Sequence, residues 1–138
     1  MRTRFLTSAI VAFGALATMW AIPVNAHHSF AAEFDGNKPI TLTGTVTQID
    51  WANPHVWFYI TVKDDEGRVV RWACEMGAPH QLQQRWWLRD TMKVGDVVTV
   101  AGSLARDGSK RANARQVTTA DGKTLGAASS GDPTTRQQ

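Results

Sequence analysis

One cysteine and one tyrosine are all that this 138-residue chain contains of either residue, and the lone cysteine is the more informative scarcity. Cys74 has no internal partner, so no intrachain disulfide staples the fold and no thiolate-rich zinc site can form. After residue 26 no apolar run is long enough to cross a bilayer, and no repeat at a solenoid period is present. Catalytic signatures are missing as well: there is no nucleophile elbow, phosphate loop, HExxH helix or Gly-rich dinucleotide turn. Glu33, Asp35, Asp50 and Glu75 are carboxylates without a spacing that selects a catalytic pair. The expectation is a non-enzymatic protein stabilised by its core alone.

What is present begins with a leader. Residues 1–26 carry Arg2 and Arg4, an apolar stretch from Phe5 to Ile22 and small residues around Val24-Asn25-Ala26, the layout of a secretory signal peptide cut after Ala26. A retained membrane anchor is the competing reading, and Pro23 with the polar His27-His28-Ser29 favours cleavage. The expected location is periplasmic or secreted, with no membrane span after cleavage. The cut removes two arginines and no acid, so the formal charge falls from +3 to +1 over 112 residues. A nearly neutral exported domain has little pull on a phosphate backbone, which excludes nucleic acid as the expected partner.

Period-2 alternation dominates the mature chain. Thr41, Thr43, Thr45 and Thr47 alternate with Ile40, Leu42 and Val46, giving a half-buried strand over 40–49, with Gly44 as a candidate bulge. Val56, Phe58, Ile60 and Val62 share one face of a second strand, and His55, Trp57 and Tyr59 share the other. Asp64-Asp65-Glu66-Gly67 turns into a third strand over 68–76, on which Trp72, Cys74 and Met76 read as core. Pro79 to Trp87 lacks the alternation and reads as one short helix, with Leu82, Trp86 and Leu88 toward the core. Strands over 97–104 and 111–119 follow. The fold class is therefore mainly β: a five-stranded OB-fold-like barrel with one short helix between strands 3 and 4. An open α+β sheet is the alternative. The division is a signal at 1–26, an arm at 27–37, a β domain at 38–125 and a disordered tail at 126–138.

HHSFAAEFD (27–35), TLTGTVTQIDWANPHVWFYITVKD (41–64), WACEMGAP (72–79) and KVGDVVTVAGSLARDGSKRANARQV (93–117) together resemble a family of small secreted bacterial proteins of unknown function. The HHSF start and the NPHVW segment are its most specific marks. The resemblance implies export and a single small β domain, and it implies no established activity.

The histidines carry the sharpest chemical reading. Cleavage after Ala26 gives His27 both a free α-amine and an imidazole, a chelating pair that a third imidazole completes as an N3 site suited to copper. His55 is the expected third ligand, because it follows Pro54 at the start of the second strand. His28 is a further candidate. A cut one residue earlier gives Ala26-His27-His28, which also wraps Cu(II) through amine, amides and imidazole. Glu75, on the same outer face as His55, is positioned to orient the imidazole. Met76 offers a thioether that favours Cu(I), with a core position as its bland alternative, and His80 reads as a surface residue. The bland alternatives are a solvated chain start for His27 and His28, and a structural imidazole for His55.

The expected function is an exported copper carrier or buffer with metal ligands His27, His28 and His55. The alternative is a metal-free module that holds a small ligand, a peptide, a glycan or an envelope protein on Trp57, Tyr59 and Glu75.

Overall fold

A computed structural model describes residues 30–131. The leader, His27, His28 and residues 132–138 lie outside the described residues. The chain forms α1 (Phe30–Glu33), β1 (Phe34–Asp50), β2 (Trp57–Lys63), β3 (Val69–Glu75), α2 (Pro79–Gln83), β4 (Val97–Ala105), β5 (Arg111–Thr118) and β6 (Thr124–Gly126). The protein is mainly β, and its sheet runs β3-β2-β1-β4-β5-β6 and closes on itself through a β3–β5 pairing. The five long strands thus form the expected OB-fold-like ring, with the helix between β3 and β4.

β1 is longer than its alternation suggests because it serves two neighbours. Thr45–Asp50 pairs with β2, and Phe34–Thr45 pairs with β4. The bend between these partners sits at the register shift between Val46 and Gln48, not at Gly44. Gly44 instead marks a close crossing, where a Cβ would stand 2.5 Å from the Thr61 carbonyl oxygen. The alternation sorted the two faces of this strand: Leu42 and Val46 are buried while Thr41, Thr43, Thr45 and Thr47 are exposed.

The core is filled by Val46, Phe58, Ile60, Cys74, Val98, Val100 and Val117, and one end of the barrel is capped by Leu82, Trp87 and Met92. α2 starts at Pro79, where a missing N–H costs nothing, and the Gln81 side chain accepts the Ala78 amide at 3.3 Å. It ends four residues before the alternation-free segment does. The Trp86 amide bonds the Gln83 carbonyl at 3.2 Å and the Trp87 amide bonds the Leu82 carbonyl at 3.0 Å. With Trp86 at φ 68°, this is a Schellman ending whose left-handed position is held by tryptophan instead of glycine. The turn reverses the expected facing: Trp87 is 1% exposed, whereas Trp86 and Leu88 are 80% and 64% exposed. An exposed, β-carbon-bearing residue in that conformation costs about 1 kcal/mol. Trp86→Gly is therefore expected to raise the urea midpoint by a corresponding amount, and a fall would contradict the strain assigned to this turn.

A sixth strand and the segment after it differ from the sequence reading. β5 has two partners on its second edge, β3 at Arg111–Asn113 and β6 at Gln116–Thr118. Beyond β6 the chain packs against the barrel wall, with Ala127, Ala128 and Ser129 buried. It is held by the Gly77 amide on the Ala127 carbonyl and by the Ala127 amide on the Arg115 carbonyl, each 2.8 Å. Small side chains permit that approach: Gly77 has no Cβ where the Ala128 carbonyl passes. The part of the expected disordered tail at 126–131 is therefore folded structure.

Candidate functional site

His55 is placed by backbone pairing that continues past the ends of β2 and β3. The Val56 amide bonds the Gly77 carbonyl at 3.1 Å, and the Met76 amide bonds the Val56 carbonyl at 2.8 Å. Since Trp57 pairs with Glu75, His55 stands diagonal to Glu75 on the outer face, within reach of a long side chain. His55 Nδ1 bonds Glu75 Oε1. The parallel register then sets Asn113 beside Glu75, and Asn113 Nδ2 donates to Glu75 Oε2 at 3.2 Å. Ser129 Oγ donates to Asn113 Oδ1, while the Gly131 amide donates to Ser129 Oγ at 3.0 Å.

Every donor in this chain points toward Glu75. The Gly131 amide uses the Ser129 oxygen as acceptor, so the hydroxyl hydrogen goes to Asn113 Oδ1 and the Asn113 amino group turns to the carboxylate. Glu75, 7% exposed, is left with acceptor capacity only, which fixes a proton on His55 Nδ1. When the ring is neutral, Nε2 of the half-buried imidazole then carries the lone pair, in the arrangement that carboxylates impose on metal-ligating histidines.

The start of the described chain is anchored at the same place. The Arg106 amide donates to the Glu33 carbonyl at 2.9 Å, and Arg106 Nε donates to the Ala31 carbonyl at 2.8 Å. Arg111 Nη1 lies 3.5 Å from Glu33 Oε2. Phe30 stacks on Phe34 at 6.0 Å and packs against Gly131, where a Cβ would strike its ring. The N-terminal turn, β5 and the segment ending at Gly131 therefore converge beside the Ser129–Asn113–Glu75–His55 chain.

These charges set the titration of His55. The hydrogen bond to Glu75 raises its pKa above the ordinary 6.5; burial opposes the rise, and the charges of Glu75 and Glu33 add to it. A raised folded value means that the imidazolium–carboxylate pair contributes stability that is complete below 6.5 and fades as pH rises through the folded pKa. The stability advantage of the wild type over His55→Gln, read from urea midpoints, should be largest in mild acid and shrink toward alkaline pH. An advantage that grew with pH would contradict this.

Cys74 and Met76 lie within the core. Burial pushes the Cys74 thiol up to about 12, which keeps it protonated and unsuited to metal binding at neutral pH. Trp57 and Tyr59 stand on the outer face, both half-buried. The Arg71 guanidinium covers the Tyr59 ring at 4.4 Å and is tied to Gln48 Oε1 at 2.8 Å. His80 is exposed. Among the described residues no three His, Cys, Asp or Glu side chains are grouped to hold a metal ion. Asn113 and Ser129 were not marked by the sequence as site residues; the one available signal was an amide placed between two alanines of β5.

Fold and wall together define a small closed β-barrel of the OB type with a half-buried histidine backed by a buried carboxylate–amide–hydroxyl chain on its outer side. The chain belongs to a family of unknown function (DUF6152), whose family model matches residues 15–114. No curated protein matches it. Among solved structures it is similar to the mitochondrial single-stranded DNA binding protein Rim1 of S. cerevisiae, at 11% identity and TM-score 0.48 over 59% of this chain and 92% of that one. It is also similar to a ZRD-deleted mutant of TiaS in complex with agmatine, at 23% identity and TM-score 0.40 over 61% of this chain and 21% of that one.

Proposed function

We propose that this protein is exported and binds copper as a carrier or buffer, with the α-amine and imidazole of His27 completed by Nε2 of His55. The observation that carries the reading is the buried Glu75 on His55 Nδ1, which holds the imidazole in the tautomer a metal needs. Nitrogen-rich donor sets of this kind favour Cu(II) over other divalent first-row ions. The three residues from Phe30 back to His27 reach about 10 Å when extended, and Phe30 is anchored beside Gly131 at the end of the same polar chain. His28 is the alternative donor if cleavage leaves Ala26 in place. The Trp57/Tyr59 face offers a ligand less, because Arg71 already covers the Tyr59 ring.

Two measurements test this. The mass of the protein recovered from a periplasmic fraction should correspond to a start at His27 or Ala26. Retention of the leader, or trimming past His28, would remove the proposed site. In a competition titration, acetylation of the His27 α-amine should weaken Cu(II) by at least about tenfold, since it withdraws the amine from its six-membered chelate with the imidazole. Equal affinity would exclude His27 as the anchoring residue.

A further inference from the structure

We propose a second binding site at the end of the barrel away from α2, which takes a small anion with an apolar body, such as a medium-chain carboxylate. α2 covers one end of the ring with Leu82 and Trp87, whereas α1 stands only at the rim of the other, bonded to Arg106 through the Ala31 and Glu33 carbonyls. There, β1, β4 and the β4–β5 turn bound a cavity of about 360 Å³ floored by Ile40, Trp72 and Leu104. Across Trp72 lies a second cavity of about 450 Å³, floored by Leu42, Val62 and Val70. Each is within the range that small-molecule sites occupy, and barrel mouths are a recurrent place for them.

The rims differ in charge, and that difference gives the ligand a direction. The smaller cavity is lined by Lys38, Arg106 and Lys110 with no acidic residue. Asp64, Asp65, Arg68 and Lys110 border the larger one, where Arg68 is already tied to Asp64 and Glu66 at 2.8 Å each. Arg106 is drawn toward Asp35 at 3.7 Å. Among the described residues Lys38 and Lys110 are in no ion pair; the charge of Lys110 reaches Asp64 across the larger cavity, and its ammonium lies 5.2 Å over the Trp72 ring. An anionic head between Lys38 and Lys110 would leave its apolar body on the Trp72 indole, directed across it toward Leu42, Val62 and Val70. This complementarity favours an amphiphilic anion over a neutral lipid or a cation.

The probe is decanoate, with decanol as its uncharged counterpart, added to the isotopically labelled protein and followed by amide and indole NMR shifts. Decanoate should move Ile40, Leu104 and the Trp72 indole signal, and it should half-saturate at a concentration about tenfold below that of decanol, the size of a charge-assisted contact. The paired surface substitutions Lys38→Gln and Lys110→Gln should abolish that preference without shifting the core resonances. Absence of shifts at these three residues, equal response to both probes, or a preference that survives the double substitution would overturn the proposal. His55 and Glu75 resonances should stay unmoved, so the outcome is independent of the copper reading.

Discussion

Glu75→Gln is expected to weaken Cu(II) binding by about ten- to a hundredfold, the range in which removal of a carboxylate behind a ligating histidine falls. The reason is specific to the direction of the hydrogen bonds. Glu75 accepts from both His55 and Asn113, and a glutamine offers one acceptor and one donor in its place. Ser129 holds Asn113 with its amino group toward position 75, so the new carbonyl must meet Asn113 and the new amino group must meet His55 Nδ1. The imidazole then moves its proton to Nε2, the nitrogen required for the metal. Nitrogen chemical shifts of the ring, read alongside the titration, should report that tautomer change. Unchanged affinity with the wild-type tautomer would separate Glu75 from any role at a metal site.

Trp87→Ala should cost about 3–5 kcal/mol of folding stability, a large share of the 5–15 kcal/mol that a domain of this size commands. Trp87 is 1% exposed, caps the barrel with Leu82 and Met92, and donates its indole N–H to the Gly126 carbonyl at 2.9 Å. Truncation opens a cavity and leaves that carbonyl without its donor, at the point where the covering segment departs from β6. The neighbouring Trp86→Ala should change the urea midpoint little, because its side chain lies in solvent. A reversed order of the two effects would contradict the Schellman ending of α2.

The contrast between these tryptophans also shows what a linear pattern can and cannot carry. Period-2 alternation locates β1 to β5 because each strand has one face on the core, and it sorts Phe58 and Ile60 from Trp57 and Tyr59 without tertiary information. Helical spacing over 79–88 fails because a single left-handed residue, Trp86, resets the facing of everything after it. β6 is three residues long, too short for a period, and the Gly-Ala-Ala-Ser composition beyond it resembles a linker. Its smallness is what lets it pack on the barrel wall at Gly77.

The site divides along the same line. His55 and Glu75 sit on adjacent strands joined by a short hairpin, so their shared face is visible in the alternation. Asn113 joins Glu75 across 38 positions, and Ser129 joins Asn113 across 16. Those contacts depend on ring closure and on the return of the segment after β6, and neither has a local signature. Closure also buries Glu75, which alternation alone places as an exposed carboxylate on an outer face.

The most direct test of the copper reading is the electron paramagnetic resonance spectrum of Cu(II) bound to protein whose mass establishes a start at His27. The account predicts a tetragonal signal with hyperfine splitting from three nitrogens, reduced by His55→Ala and altered by one added residue before His27. A spectrum identical in all three proteins would contradict it.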